Sequence, residues 1–331
     1  MSLLQYRMHD FKFCVEKSLR LARNGGTMAE PPSRGSAGAF FVNSIRTVVA
    51  ATDFSFFAHR AARRAGVIAK EHDAALHLLH VLDQAPIQAL LRRSPAFDIE
   101  KPLVLDAQHS LNSLAEDIGA FTGVVSARIV KEGRVMDAIL AGTTGADLLV
   151  LGPRGINPVR DLILGSTAER IARTLECPML VVKQDPQIKY EHVLVPVDFS
   201  DYSLPAVQFA SELAPDATLH VLHALHTPLE AKLRTAGVSE EGLALYRDQS
   251  HQEASTSMKE LVGSANERNL VASVRAGDAR ALIPEYASAT GCNLIVMGKQ
   301  GRSWMSEHIL GSVTRHVLEK VTCDVAVVPH G

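Results

Sequence analysis

Two short segments of the chain combine residue types at a spacing suited to holding an anion. Gly152-Pro153-Arg154-Gly155 is followed, after nine intervening residues, by Gly165-Ser166. Gly298-Lys299-Gln300-Gly301 is followed, again after nine, by Gly311-Ser312. Glycines let a backbone turn tightly and approach a ligand with no side chain between. A Gly-Ser pair opening a helix would place free N–H groups and a hydroxyl at an end whose dipole favours anions. Together the two segments form a cradle suited to a triphosphate. The structural alternative is that the glycines serve turns and Ser312 is an N-cap. Two copies at one internal spacing favour the ligand reading.

Two carboxylates could complete such a site. Asp53 and Asp198 each stand two residues before a serine. As ligand contacts they would accept hydrogen bonds from a ribose or orient a metal-bound water; as structural groups they would belong to a serine-capped helix start. His77 and His80, like His220 and His223, are three apart on strands, so alternation puts the members of each pair on opposite faces. That argues against a shared metal, and satisfied structural histidines are the better reading of His80 and His223. Arg154 and Lys299 are either phosphate counter-charges or solvated loop charges. The common NTPase phosphate loop, the dinucleotide fingerprint, the nucleophile elbow, the zinc-protease motif and paired-cysteine metal motifs are all absent from the sequence. Binding is better supported than catalysis.

The elements that must position these residues occur twice. The strand-like run ending in Asp53-Phe54-Ser55 returns as the run ending in Asp198-Phe199-Ser200, 145 positions on (198 − 53). Leu148–Gly152 returns as Leu294–Gly298 and Ile163–Ser166 as Ile309–Ser312, both 146 on. Cys177 and Cys323 keep that offset, and Gly133 and Gly277 are 144 apart. Five blocks in one order make a tandem repeat. In the first copy, apolar runs at 47–51, 75–82, 124–130, 147–151 and 179–182 alternate with helical patterns at 57–72, 105–121, from 135, and 167–175. In the second, strands are expected near 192–196, 217–222, 270–274, 294–297 and 325–328. This alternation predicts two doubly wound α/β domains, each with a five-stranded, mainly parallel sheet covered by helices on both faces. Ligands of such sheets bind beyond the carboxyl ends of the strands, which is where both aspartates and both glycine loops fall. The expected domains are 43–186 and 187–331, joined by the polar stretch 183–189. A tail of residues 1–42 precedes them, with a Pro/Gly/Ser-rich, disordered-type section at 29–38 and an alternative start at Met28.

Composition bounds the partners. The 331 residues are 47% apolar and 21% charged, with 34 basic against 36 acidic side chains and a formal charge of −2. No basic tract tracks a nucleic acid backbone, no run is long and apolar enough for a membrane span, and the N-terminus has no secretory apolar core. Cys14, Cys177, Cys292 and Cys323 show no pairing motif and read as free thiols in a reducing cytoplasm.

The Asp-Phe-Ser strand end, the Gly-x-x-Gly-x₉-Gly-Ser block and the Cys-led apolar final strand resemble the universal stress protein family, and two such domains resemble its tandem members. The resemblance covers about residues 43–331. It implies an α/β sandwich of the adenine nucleotide alpha hydrolase-like kind; one branch of the family binds ATP, and another lacks the motif and does not. Carried over residue by residue, it implies Val197 against the base and Asp198 near the adenosine. Gly298, Gly301, Gly311, Ser312, Val313 and Thr314 would surround the phosphates. In the first copy Asp53, Gly152, Gly155, Gly165, Ser166 and Thr167 hold the corresponding positions. That copy departs at Pro153, which removes a backbone N–H, and at Thr167-Ala168, so the second site is favoured. The resemblance also implies that the last strands of the two copies pair within the chain; a homodimer of whole chains is a further expectation. The expected function is a cytoplasmic, regulatory ATP-binding stress protein. A slow Mg²⁺-dependent ATPase or phosphotransferase using Asp198, and a nucleotide-free binder of an apolar ligand or protein, stay open beside it.

Overall fold

The computed structural model describes residues 45–93, 99–155, 165–227, 229–265, 267, 269–301 and 309–329, which belong to one unit spanning 40–331. The tail of 1–42, with Cys14 and Met28, lies outside the described residues.

The first copy runs β1 (Thr47–Thr52), α1 (Phe56–Glu71), β2 (Ala75–Asp83), α2 (Gln84–Arg93), α3 (Glu100–Thr122), β3 (Ser126–Gly133), α4 (Val135–Gly142), β4 (Leu148–Leu151), α5 (Ser166–Thr174) and β5 (Met179–Val181). The second runs β6 (His192–Val197), α6 (Ser203–Leu213), β7 (Thr218–Leu225), α7 (Glu230–Thr235), α8 (Glu240–Ala265), β8 (Leu270–Ala276), α9 (Ala279–Ala289), β9 (Leu294–Gly298), α10 (Ser312–Lys320) and β10 (Asp324–Val328). The central strands are β-branched or leucine-rich and buried on both faces, as a helix-covered parallel sheet requires. Alternate residues of β1 go to separate cores: Val48 and Ala50 join one, Val49 and Ala51 the other.

All ten described strands form one sheet, in the order β3-β2-β1-β4-β5-β10-β9-β6-β7-β8. Pairing is parallel within each copy and antiparallel only at the seam, where Val181 faces Val325, Leu180 faces Ala326 and Met179 faces Val327. The two apolar final strands therefore cover each other's edge inside the chain. No described helix is long and apolar enough to cross a membrane. Cys177, Cys292 and Cys323 are free thiols, and burial pushes Cys177 and Cys323 up to about 12.

Two local expectations need correction. The stretch after β2 is not only loop: it holds α2, whose Ile87, Leu90 and Leu91 stand at helical spacing although no residue of the helix is buried. The third strand starts at Ser126 rather than Val124, because α3 runs to Thr122 and ends on Gly123 at φ 80, a left-handed C-cap.

The polar stretch between the copies is pinned rather than loose. Asp324, fully buried at the start of β10, accepts hydrogen bonds from the Lys183 and Gln184 amides at 2.7 and 2.8 Å and from Tyr190 Oη at 2.6 Å. Buried Arg64 of α1 lies 3.6 Å from the same carboxylate, stacks over the Tyr190 ring, and donates to the carbonyls of Asp185 and Ile188. Lys183 Nζ donates to the Leu318 and Val321 carbonyls, satisfying the end of α10.

Glu212 on α6 also reaches the first copy, where it accepts from the Ile45 amide; its Oε1 is buried without a partner. Burial, reinforced by the Asp147 charge, raises its carboxyl from the ordinary 4.5 to about 7. Between those two values the folded chain holds a proton that the unfolded chain has lost. The stabilising contribution is thus complete below pH 4.5 and lost as pH rises through 7. Glu212→Gln, which keeps a neutral side chain at every pH, is expected to raise the melting temperature more at pH 8 than at pH 5. Equal shifts at both pH values would contradict this.

Candidate functional site

The carboxyl ends of the strands open into a cleft in each copy. In the first, about 390 Å³ is bounded by Asp53, Gly152, Pro153, Arg154, Gly155, Gly165, Ser166 and Thr167, with Val135 and Ile139 of α4 behind. In the second, about 740 Å³ is bounded by Val197, Asp198, Gly298, Gly301, Gly311, Ser312, Val313 and Thr314. Every residue carried over from the family resemblance lines one of these two clefts. Both volumes fall within the usual range of small-molecule pockets, about 300–1,000 Å³.

The size difference has a structural source. The second cleft gains a wall from α8, through Ser250, Glu253, Ala254 and Ser257, while Ala279 and Ile283 of α9 match Val135 and Ile139 of α4 in the first. No described residue of α3, which precedes β3 as α8 precedes β8, lines the first cleft. The α8 contribution escapes a sequence reading because this helix shows little segregation of apolar and polar faces. Its spacing does hold a trace of it: 250, 253, 254 and 257 share one helix face.

Each aspartate is held by its own turn. Asp53 Oδ1 accepts from the Ser55 amide at 3.0 Å. Asp198 Oδ1 accepts from the Ser200 amide at 3.1 Å, Ser200 Oγ at 2.6 Å and Ser203 Oγ at 3.3 Å. Ser55 also caps α1 by accepting from the Ala58 amide, so the capping alternative holds there. Ser200 caps no helix: α6 begins at Ser203 after Tyr202, and its N-cap makes no side-chain bond.

The turns force Phe54 and Phe199 to φ 63 and 59, left-handed values uncommon for a side chain without a local polar group. Each ring then packs 4.3 Å from the ring of His80 or His223, whose Nδ1 lies 2.8 Å from the carbonyl of Thr52 or Val197. Both histidines are thus satisfied structural groups that brace the aspartate-bearing strand end. The phenylalanines were not singled out from the sequence, although their recurrence beside the recurring histidines was a signal.

The glycines are required by close approach. A Cβ on Gly155 would lie 2.5 Å from Asp53 Oδ2, and one on Gly301 would overlap Asp198 Oδ2. A Cβ on Gly298 would lie 2.5 Å from Tyr202 Cβ, and one on Gly152 would lie 2.9 Å from the Phe57 backbone. The loop and the carboxylate are therefore in contact, which brings the two ends of the sequence motif to one place.

Three details of the cradle differ from expectation. The Gly165 and Gly311 amides are not available to a ligand, since they donate to the Pro153 and Lys299 carbonyls at 2.7 and 2.9 Å and close the loop. The first-turn groups that remain are those of Ser166–Ala168 and Ser312–Thr314, at helices with no side-chain cap. The Lys299 amide donates to the Val328 carbonyl, so proline at the equivalent position 153 removes a sheet contact and not a ligand donor. Thr314 Oγ1 donates to the Gly298 carbonyl, tying α10 to the glycine loop; Ala168 cannot do this in the first copy. Lys299 is buried and does not line the cleft, whereas Arg154 does, with its guanidinium 5.6 Å from the Phe57 ring centre.

Each half of the doubled α/β unit thus carries an aspartate and a glycine-helix cradle beside one cleft at the sheet's carboxyl edge. Among the described residues no group of three or more His, Cys, Asp or Glu is placed to hold a metal ion. The sequence model of the universal stress protein family matches residues 44–183 and again 189–329, and the chain belongs to that family. A universal stress protein of Methanocaldococcus jannaschii is 31% identical over 145 residues, 43% of this chain and 84% of the relative. One of Mycolicibacterium smegmatis is 24% identical over 293 residues, 85% of this chain and 96% of the relative. The crystal structure of a universal stress protein from Archaeoglobus fulgidus superimposes with a TM-score of 0.64 at 20% identity, covering 87% of this chain and 97% of that one.

Proposed function

We propose that the chain is a regulatory adenine-nucleotide-binding stress protein whose working site is the cleft of the second copy, with ATP as the ligand. The observation that carries this is the meeting of Asp198, Gly298, Gly301 and the uncapped first turn of α10 around one cavity of about 740 Å³. Val197 would lie against the base, Asp198 would accept from the ribose hydroxyls, and the Ser312, Val313 and Thr314 amides with the α10 dipole would face the phosphates. The first cleft, about half the volume and without the α8 wall, is the weaker candidate.

The charged groups described in this cleft lining are acidic, Asp198 and Glu253, with no lysine or arginine among the described lining residues. A polyphosphate entering there would need neutralising by the helix end and by Mg²⁺ carried with it. The ion would supply charge neutralisation at the phosphates, while Asp198 stays with the ribose. The site offers positioning and anion stabilisation, which supports a binding role over a hydrolytic one. Domains at 43–186 and 187–331, and a cytoplasmic setting, belong to this same reading.

Native mass spectrometry of the purified chain tests it. The expected spectrum contains an adenine nucleotide released only on denaturation. A homogeneous, ligand-free mass that stays unchanged when millimolar MgATP is added would contradict it.

A further inference from the structure

The two clefts differ in charge at one pair of corresponding positions. Arg154 corresponds to Gln300 (300 − 154 = 146) and Phe57 to Tyr202 (202 − 57 = 145), at the offsets of the repeat itself. The geometry agrees with the count. A Cβ on Gly165 would lie 3.6 Å from Arg154 Cα, and one on Gly311 would lie 3.4 Å from Gln300 Cα.

In the second copy this pair is closed on itself. Tyr202 Oη donates to Gln300 Oε1 at 3.2 Å, and Gln300 Nε2 donates to the Ile309 carbonyl. The first copy has no counterpart of the Tyr202–Gln300 bond, because Phe57 lacks a hydroxyl and a guanidinium has no acceptor. The Arg154 guanidinium lies over the Phe57 ring instead, and its Nε is buried without a partner. Two differences between the copies thus set a cation in the wall of the first cleft, where the second has an amide engaged by protein groups.

Charge balance narrows what that cation can hold. Arg154 and Asp53 are the charged residues of the described lining, and they offset each other. The uncapped first turn of α5, which adjoins Arg154 through Gly165, adds about half a positive charge. Its acidic residue, Glu169, is already paired with Arg173 at 2.6 Å and Arg315 at 3.5 Å. That surplus suits a single negative charge, not the several of a nucleoside triphosphate. Away from this end the cleft is walled mostly by apolar groups, among them Leu79, Val81, Val135, Ile139 and Leu151. A guanidinium fork matches a carboxylate through two parallel bonds.

We infer that the first cleft binds a small monocarboxylate with an apolar body. Arg154 and the first turn of α5 receive the head, and Val135 and Ile139 face the body. This ligand differs in class from the nucleotide of the second cleft, so the two copies have parted in what they take.

Calorimetric titration of the full chain with 4-methylpentanoate tests this, with 4-methylpentan-1-ol as the uncharged analogue. The wild type is expected to bind one equivalent of the carboxylate and none of the alcohol over the same range. Arg154→Gln copies the second-copy residue and is expected to weaken binding by about 10- to 100-fold, the loss of hydrogen bonds to a charged group. Arg60→Gln removes a positive charge outside the cleft, and Gly301→Val disturbs only the second cleft; both are expected to bind as the wild type does. No saturable binding by the wild type at millimolar carboxylate would overturn the assignment. So would unchanged affinity in Arg154→Gln, loss of binding in Gly301→Val, or equal binding of the alcohol. The titration uses no nucleotide, so its failure would leave the ATP reading of the second cleft standing.

Discussion

Asp324→Ala is expected to destabilise the protein by about 3–5 kcal/mol, the cost of leaving a buried charge without its partner. Asp324 is fully buried and serves four groups at once: the Lys183 and Gln184 amides, Tyr190 Oη and the Arg64 guanidinium. Removing the carboxylate strands all four, including a cation that is itself only 2% exposed. Because Arg64 belongs to the first copy, Tyr190 to the stretch joining the copies, and Asp324 to the strand at the seam, the loss falls on the contact between the halves. Urea unfolding followed by circular dichroism measures it as a lowered midpoint. Tyr190→Phe, which removes one hydrogen bond but leaves the carboxylate its backbone donors, is expected to cost about 1–2 kcal/mol. An Asp324→Ala midpoint within error of wild type would show that the cluster adds nothing to stability.

The second large effect is on binding. Gly301→Val is expected to weaken ATP binding by about 100-fold, equivalent to about 2.7 kcal/mol. The new Cβ would overlap Asp198 Oδ2, so either the carboxylate leaves the position held by Ser200 and Ser203 or the glycine loop moves. Both displacements open the cradle. Gly155→Val makes the same collision with Asp53 in the first copy and is expected to leave ATP affinity unchanged. The pair controls for local strain, because both variants suffer it at corresponding positions.

Much of the fold was legible because its causes are local and repeated. Short apolar runs such as Leu148–Leu151 and Leu294–Val296, alternating with helical patterns, read as central strands, and the recurrence of Asp53 and Gly152 as Asp198 and Gly298 exposed the duplication. The line of the cradle was legible too, since glycine spacing reports close approach. What it could not report was which amides the loop itself consumes. Gly311 closes onto Lys299 and Lys299 onto Val328, a pairing set by the arrival of β10. The Arg64–Tyr190–Asp324 cluster was invisible for a similar reason. Its members come from three distant segments, and no periodicity links a charge on α1 to the first residue of the last strand.

The central claim, one adenine nucleotide site in the second cleft, is tested most directly by calorimetric titration of MgATP into the wild type, Gly301→Val and Gly155→Val. The expected result is one ATP per wild-type chain, kept in Gly155→Val and lost in Gly301→Val. No binding by the wild type at millimolar MgATP, or binding lost in Gly155→Val and kept in Gly301→Val, would contradict it.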